Sequence, residues 1–286
     1  CVMTCMIFAA VSGSSVATTF AIGAVLIPAL IKHGYPRPWA TALQATSAEL
    51  GVIIPPSIPM ILFGVAAEVS IGELFIAGVG PGILIGVALM FFVWAYSKYM
   101  GWGKNDGDGR LSFGKATYQA GWALFMPFIV LGGIYGGVFT PTEAAAVAVL
   151  YSFIVGTLIY REIGFKDIYT ILRKSVISSA VIMFIIANAG MFAFLITRAG
   201  VPGAIGAWLQ EILQSPAYFL LGVNAALFVI GMFIETGAAI IVLAPILVPV
   251  AIHFGIDPVH FGMVMVVNLA LGMITPPFGV NLFAAC

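Results

Sequence analysis

The chain has 286 residues, of which 62% are hydrophobic and 8% are charged. Since about a quarter of the residues in a water-soluble globular domain are charged, this composition excludes that class and indicates an integral protein of the lipid bilayer. The 11 basic and 11 acidic side chains give a net charge of zero, so electrostatics gives no reason to expect a nucleic-acid partner. Most charge-free stretches are long enough for the roughly 20 residues that cross a bilayer core, which predicts an all-α polytopic membrane protein.

The first predicted element is a helical hairpin. Residues 2–10 are apolar, S-G-S-S follows at 12–15, and a second apolar run continues to Ile31. Two such arms with a small polar tip either span the membrane twice or enter and leave from one face. The serines of the tip fit a functional site, and they fit equally well an ordinary turn between closely packed helices.

The next predicted element is a broken helix at 38–67. Gly51, Pro55 and Pro56 interrupt an apolar run, and we expect the break at 51–59 because proline removes an N–H group and blocks the preceding turn. Carbonyl groups left bare in hydrocarbon are tolerated only where protein, water or an ion satisfies them. Glu49, just before the break, is either a functional group at membrane depth or a structural partner.

The middle of the chain supplies membrane crossings and surface segments. In order, these are an interfacial helix at 70–77, a span at 83–97 after Gly80-Pro81-Gly82, a polar loop at 98–115, spans at 122–138 and 144–160, a basic surface helix at 161–174, a span at 175–197 and an interfacial helix at 200–213. Thr140, Pro141 and Glu143 are typical of a helix start. We therefore expect Glu143 to be a capping residue and not a catalytic one.

The second half of the chain repeats the hairpin and the broken helix. L-G-M-I-T-P-P at 271–277 matches L-G-V-I-I-P-P at 50–56 with an offset of 221 residues, which also aligns Pro28 with Pro249 and Gly34 with Gly255. A second hairpin is predicted at 218–252 with its tip at 235–237, and a second broken helix at 258–286. The predicted domains are a first repeat at 1–97, a cytoplasmic loop at 98–115 and a second repeat at 116–286.

The orientation of the repeats follows from counting crossings. Five predicted crossings, beginning with the broken helix at 38–67, lie between the first hairpin and the second, and because five is odd the second copy is inverted relative to the first. On this topology every basic residue except Arg198 lies on one side, and the positive-inside rule assigns that side, with its basic loops, to the cytoplasm. If the repeats are equivalent, the first lacks roughly 100 residues at its start and the second roughly 30 at its end.

Inverted repeats whose hairpins and broken helices meet near the membrane midplane are typical of secondary transporters. The carbonyl groups around 51–55 and 272–276, together with the Thr275 hydroxyl, can replace the hydration shell of Na⁺, because uncharged oxygen ligands suit a hard cation. The hairpin tips supply helix N-termini, which favour a carboxylate. The spacing therefore predicts a cation and carboxylate site without naming the solute.

Six motifs in register resemble the large membrane subunit of tripartite ATP-independent periplasmic (TRAP) transporters over essentially the whole chain. They are S-G-S-S at 12–15, G-Y-P-R-P at 34–38, L-G-V-I-I-P-P-S at 50–57, S-I-G-E-L-F at 70–75, T-P-T-E-A-A-A at 140–146 and G-M-I-T-P-P-F-G-V-N-L-F at 272–283. The resemblance implies an elevator-type, Na⁺-driven importer of small organic acids, such as C4-dicarboxylates or sialic acid, in the bacterial inner membrane. Its implied partners are a small membrane subunit and a periplasmic substrate-binding protein.

The resemblance also implies roles for individual residues. Ser12 and Ser57 would face the substrate, together with Glu235, which stands where the family tends to have Asp. The coupling ion, Na⁺, would be held by groups at Ser14, Gly51 and Ile53 in the first repeat, and at Gly237, Gly272, Thr275 and Pro276 in the second.

Other functions fit only parts of the sequence. A stand-alone Na⁺/dicarboxylate carrier would share this architecture, but its tips tend to contain Ser-Asn-Thr, which neither tip here does. An intramembrane enzyme would need a set such as His-Glu-x-x-His or a Ser-His pair at depth, and all three histidines lie in or next to predicted loops. The three cysteines, Cys1, Cys5 and Cys286, show no metal-ligand spacing. We therefore predict a transporter and not an enzyme.

Overall fold

The computed structural model describes residues 1–103, 113–212 and 215–286. These residues form helices and no β-strand. The helices are α1 Val2–Ser12, α2 Ser15–Lys32, α3 Arg37–Ala48, α4 Leu50–Ile53, α5 Ile58–Ala67, α6 Ile71–Met100, α7 Phe113–Tyr135, α8 Pro141–Ile154, α9 Phe165–Arg198, α10 Val201–Ile212, α11 Pro216–Gly231, α12 Thr236–His253, α13 Pro258–Met273 and α14 Val280–Ala285. A π-helical turn, Val155–Ile159, continues α8.

The prediction of an all-α polytopic membrane protein is confirmed. Five helices are long and apolar enough to cross a bilayer, namely Ser15–Lys32, Ile71–Met100, Pro141–Ile159, Lys166–Arg198 and Thr236–His253. A bent pair, Arg37–Ile53 with Ile58–Ala67, passes the same test as a sixth span with a bend of 41°.

The chain forms two compact units. The first unit, Cys1–Asn105 with Ala189–Cys286, contains both hairpins and both broken helices, and the second is Asp106–Asn188. In the second unit, Thr140 and Glu143 form a reciprocal capping box at the start of α8, which confirms the capping role predicted for Glu143. Residues 104–112 of the loop predicted at 98–115 lie outside the described residues, and the ends of that loop belong to α6 and α7.

Both predicted hairpins are present. In the first, α1 and α2 are joined by Gly13 and Ser14, and in the second, α11 and α12 are joined by residues 232–235. The return arms begin at capping side chains, because Ser14 accepts a hydrogen bond from the Ala17 N–H and Glu235 accepts one from the Ala238 N–H.

Both predicted helix breaks are present, and the first is narrower than expected. It covers 54–57, between α4 and α5, so Gly51 and Ile53 are still helical, whereas the second covers 274–279, between α13 and α14. Each break contains a Pro-Pro pair joined by a cis peptide bond. The helix continues to Ile53 because the Ile54 N–H still donates to the Leu50 carbonyl oxygen over 2.8 Å, and the first N–H that is missing is that of Pro55.

The prediction of a separate interfacial helix at 70–77 and a span at 83–97 is wrong, because α6 is continuous through Pro81. Its glycines serve packing and do not end the helix. A Cβ atom on Gly78 would lie 2.9 Å from the Ile53 carbonyl oxygen, and one on Gly82 would lie 2.8 Å from Ile54 Cγ1. Small residues one turn apart thus let α6 lie against the first break.

The prediction of a surface helix at 161–174 followed by a separate span at 175–197 is also wrong. α9 runs unbroken from Phe165 to Arg198. The sequence changes from charged to apolar near Ser175, but it contains no Gly or Pro between Phe165 and Ala189. A change of polarity alone does not end a helix, because its backbone hydrogen bonds are unaffected. The helix predicted at 200–213 is confirmed as α10.

Candidate functional site

The first hairpin tip is held together by its own hydroxyl groups. The Ser12 and Thr18 hydroxyl oxygens lie 3.0 Å apart, and the Ser14 carbonyl oxygen is 3.3 Å from the first and 2.8 Å from the second. Ser14 is also the N-cap of α2. The first N–H groups of a helix lack intrahelical partners, so the tip presents the positive end of the α2 dipole.

This tip lies directly on the first break. The Ile58 N–H donates to the Gly13 carbonyl oxygen over 3.0 Å. A Cβ atom on Gly13 would lie 2.7 Å from the Pro56 carbonyl oxygen, and one on Gly51 would lie 2.9 Å from the Ser14 carbonyl oxygen. Both glycines are therefore required by the close approach of the two backbones.

The second tip makes the same kind of contact with the second break. The Gly279 N–H donates to the Met232 carbonyl oxygen over 3.1 Å. A Cβ atom on Gly272 would lie 2.5 Å from the Gly231 Cα atom, so these helices also meet through backbone. Beside this contact, the buried Thr236 hydroxyl donates to the Met273 sulfur over 2.8 Å.

The two halves correspond residue by residue, apart from one insertion. Ser14 and Glu235, Gly51 and Gly272, and Ile58 and Gly279 keep the offset of 221 that the sequence predicts. The first arms end at Ser12 and Gly231, an offset of 219, so the second tip is two residues longer.

The Pro-Pro pairs leave backbone acceptors without their usual partners. Proline has no N–H, so four carbonyl groups one turn earlier lose their helical donors: those of Gly51, Val52, Gly272 and Met273. The Ser57 hydroxyl replaces one donor, bonding Val52 over 2.6 Å, and the Thr275 N–H bonds Gly272 over 2.9 Å. Among the residues that the structure describes, none donates to the carbonyl oxygens of Gly51 and Met273. Each break thus keeps one acceptor open to an ion, water or substrate.

The two repeats interlock inside the first unit. Val52 and Ile53 form one buried apolar cluster with Ala270, which brings the two breaks together. Each return arm packs on the other repeat's helix that follows the break, α2 on α14 and α12 on α5. Gly237 lies so close to Leu62 that a Cβ atom would be 2.9 Å from its Cδ1 atom.

The predicted site residues fall into two groups, one at each tip and break. Ser57 is fully buried and also caps α5 by accepting from the Met60 N–H. Glu235 is exposed, and its carboxylate caps α12. Thr275 donates its hydroxyl to the Leu271 carbonyl oxygen over 2.8 Å. The carbonyl of Ile53 lies against α6. The roles predicted for these residues toward substrate and Na⁺ stay predictions.

Sequence reasoning missed several polar residues of this region. Thr18 was not singled out, although its spacing of four residues from Ser14 is the signal for a hydroxyl bonded to the preceding turn. Asn281 lies within a quoted motif but received no role, and its amide donates to the Glu49 carboxylate across the repeats. A contact between residues 232 positions apart gives no local sequence signal. In the described part of the chain, no three His, Cys, Asp or Glu side chains cluster as a metal site.

Comparison with known proteins agrees with this architecture. The family model described as "Tripartite ATP-independent periplasmic transporter, DctM component" matches residues 1–286. An isethionate TRAP transporter permease protein DctMQ of Oleidesulfovibrio alaskensis is 45% identical over 99% of this chain and 45% of its own length. A C4-dicarboxylate TRAP transporter large permease protein DctM of Pseudomonas aeruginosa is 44% identical over 99% of this chain and 66% of its own length. A sialic acid TRAP transporter large permease protein SiaM of Vibrio cholerae is 36% identical, again over 99% of this chain and 66% of its own length. The chain thus spans between about half and two thirds of these relatives.

Proposed function

The chain belongs to the DctM family of tripartite ATP-independent periplasmic transporters, and from that membership we propose that it forms the transport core of a Na⁺-coupled importer of small organic acids. The observation that carries this proposal is the pairing of two hairpin tips with two Pro-broken helices in one compact unit. Discontinuous helices of this kind line ion and substrate sites in secondary transporters.

The proposed Na⁺ ligands are oxygens at the two breaks. Gly51, in α4 just before the first break, has a carbonyl oxygen without a donor, and its Cα atom faces the Ser14 carbonyl of the tip, while Thr275 supplies a hydroxyl in the second break. Uncharged oxygens suit a hard monovalent cation. The positive charge of the bound Na⁺ would then balance the negative charge of the substrate carboxylate. Na⁺ bound there would hold each tip against its break.

The proposed substrate is a small carboxylate. The N-termini of α2 and α12 point positive dipole ends into the tips, and such ends bind anions. Relatives are named for C4-dicarboxylates, 2,3-diketo-L-gulonate and sialic acid, which carry carboxylates, and for isethionate, whose acidic group is a sulfonate. Because Glu235 caps α12 with its own carboxylate, a substrate acid at that tip would have to displace it or bind beside it.

We also propose the partners and orientation that the sequence predicts. The partners are a small membrane subunit and a periplasmic binding protein, in keeping with the family's description as tripartite and periplasmic. The Gly103 N–H donates to the His33 carbonyl oxygen over 3.2 Å, and the Tyr35 and Trp102 rings lie 5.7 Å apart. Lys32 and Lys98 therefore end their helices near the same face, as a cytoplasmic basic side in the bacterial inner membrane requires.

The coupling mechanism that we propose is a difference in affinity. Na⁺ at the breaks orders the tips, and the ordered tips bind the carboxylate better than free tips do. Both repeats of the first unit then carry the site across the membrane as one body, in the manner of an elevator. No relay of charge between residues is needed.

Uptake into proteoliposomes tests the proposal. The protein would be reconstituted with its small subunit, and uptake of radiolabelled C4-dicarboxylates, sialic acid and keto acids measured with and without an inward Na⁺ gradient and the binding protein. We expect uptake of one acid class that needs both. Uptake that needs Na⁺ but no binding protein would instead identify a stand-alone carrier, and uptake of none of these acids would contradict the proposed substrate class.

A further inference from the structure

A cavity of about 550 Å³ lies between α1, α2, α3 and α6, and none of its described lining residues belongs to a tip or a break. Pockets that hold small ligands have volumes of roughly 300–1,000 Å³. One end of the cavity is apolar and is lined by Leu30, Leu43, Met90 and Val93. The other end is polar and is lined by Tyr35, Ser97, Lys98 and Trp102. The cavity therefore matches a ligand that has one polar and one apolar end.

The unpaired polar groups at the polar end can all donate hydrogen bonds. Ser97 is 8% exposed, and its hydroxyl oxygen is buried without a partner in the described part of the chain, although a helical serine often bonds the preceding turn. The Tyr35 hydroxyl forms no hydrogen bond with the residues that the structure describes. The Lys98 ammonium group, which has three N–H donors, is exposed and lies 5.3 Å from the centroid of the Trp94 ring. The polar end thus offers donors and a positive charge.

The charges around the cavity favour a ligand with a net negative charge. Among the described lining residues none is acidic, while Lys32 ends α2 and Arg37 begins α3 nearby. Phosphate binds lysine through charge-assisted hydrogen bonds, and its several oxygens can accept from a lysine and two hydroxyl groups at once. The amine of a zwitterionic headgroup would find no carboxylate here.

The cavity lies where a lipid headgroup would lie. Its polar end is formed where α2 and α6 end. The Trp102 ring is 5.6 Å from the Trp39 ring and 5.8 Å from the Tyr96 ring, and such side chains are enriched at the level of the headgroups. Met90 precedes Lys98 by eight residues on α6, so the apolar end lies about 12 Å further along the span. This order of polar and apolar ends is that of a phospholipid in a bilayer.

We propose that this cavity binds an anionic phospholipid, such as phosphatidylglycerol. Its phosphate accepts hydrogen bonds from the exposed Lys98, from Tyr35 and from Ser97 at the base, and one acyl chain lies along the apolar end. Bound in this way, the lipid joins α6 to the loop between α2 and α3. This inference depends neither on Na⁺ nor on the transported solute.

Native mass spectrometry of the purified, delipidated protein tests the headgroup site. The probes are phosphatidylglycerol and phosphatidylcholine with the same acyl chains, with inorganic phosphate as a competitor. We expect the wild-type protein to bind one phosphatidylglycerol more tightly than phosphatidylcholine. Lys98→Gln should lower that affinity about tenfold, because a charge-assisted hydrogen bond is lost. Lys32→Gln is the matched control and should leave it nearly unchanged, since Lys32 lies on the same face but does not line the cavity.

A second variant, Val93→Trp, tests the apolar end. The larger side chain would fill the space of the acyl chain, so phosphatidylglycerol should bind more weakly although Lys98 is retained. An unchanged affinity in this variant would contradict the placement of the chain.

Three results would overturn the proposal. Equal losses of affinity for Lys98→Gln and Lys32→Gln would mean that the lipid is held by the basic face and not by the cavity. Equal affinity of the wild-type protein for the two lipids would show that the headgroup charge is not recognised. Displacement of phosphatidylglycerol by inorganic phosphate at the same concentration would identify a site for free phosphate.

Discussion

At the scale of single residues, the contact between tip and break depends on glycines that leave room for backbone. Gly272 approaches Gly231 so closely that an added Cβ atom would lie 2.5 Å from its Cα atom. We expect Gly272→Ala to destabilise the protein by about 1–3 kcal/mol, since a packed backbone must move apart. The measurement is the thermal unfolding midpoint in detergent. Gly222→Ala is the matched control, because nothing lies within 4 Å of a Cβ atom there. A midpoint for Gly272→Ala as high as the control's would show that this contact is not tight.

Thr275 is the side chain whose proposed role in Na⁺ binding can be isolated. Its hydroxyl bonds only to the preceding turn, so its removal should leave the helix intact and take away one cation ligand. We expect Thr275→Ala to raise the Na⁺ concentration needed for half-maximal uptake several-fold, with little loss of expression. Thr41→Ala is the control, because Thr41 makes the same bond to a preceding turn in α3. An unchanged Na⁺ activation curve would refute the assignment of Thr275.

At the scale of elements, α6 supports the first break through glycines one turn apart. Gly78→Ala would place a Cβ atom 2.9 Å from the Ile53 carbonyl oxygen, whereas nothing lies within 4 Å of Gly80, two residues away on the same helix. We expect Gly78→Ala to lower the unfolding midpoint and the rate of uptake, and Gly80→Ala to leave both nearly unchanged. Equal effects of the two substitutions would mean that α6 does not brace the break.

The same helix shows how far sequence reasoning reaches. The matched Pro-Pro pairs break a helix, and the small polar tips end one, through the chemistry of their own residues. Both hairpins and both breaks were therefore predictable from the local sequence. Gly80-Pro81-Gly82 has the same local chemistry, yet α6 continues through it. The residues that Gly78 and Gly82 contact, Ile53 and Ile54, are distant in sequence, so no local pattern reveals that this part of α6 packs on the first break. The Glu49 and Asn281 pair was missed for the same reason, as neither residue's neighbours in sequence indicate the other.

At the scale of the whole molecule, the proposed coupling requires that Na⁺ orders both tips together. We expect Na⁺, compared with an equal concentration of K⁺, to slow backbone hydrogen exchange at Gly13 and Ser14 and at residues 232–235, while exchange in the middle of α9 stays the same. The physical reason is that bound Na⁺ holds each tip against its break and suppresses local opening. If Na⁺ slows hydrogen exchange at neither tip, the proposed link between cation binding and substrate binding is wrong.

Coupling of the two solutes is measured directly as the simultaneous influx of radiolabelled Na⁺ and radiolabelled acid into the same proteoliposomes. We expect acid influx to be accompanied by Na⁺ influx in a constant ratio, and removal of the acid to abolish the additional Na⁺ influx. Acid influx without accompanying Na⁺ influx would contradict the claim that the two Pro-broken helices and their hairpin tips couple the two solutes.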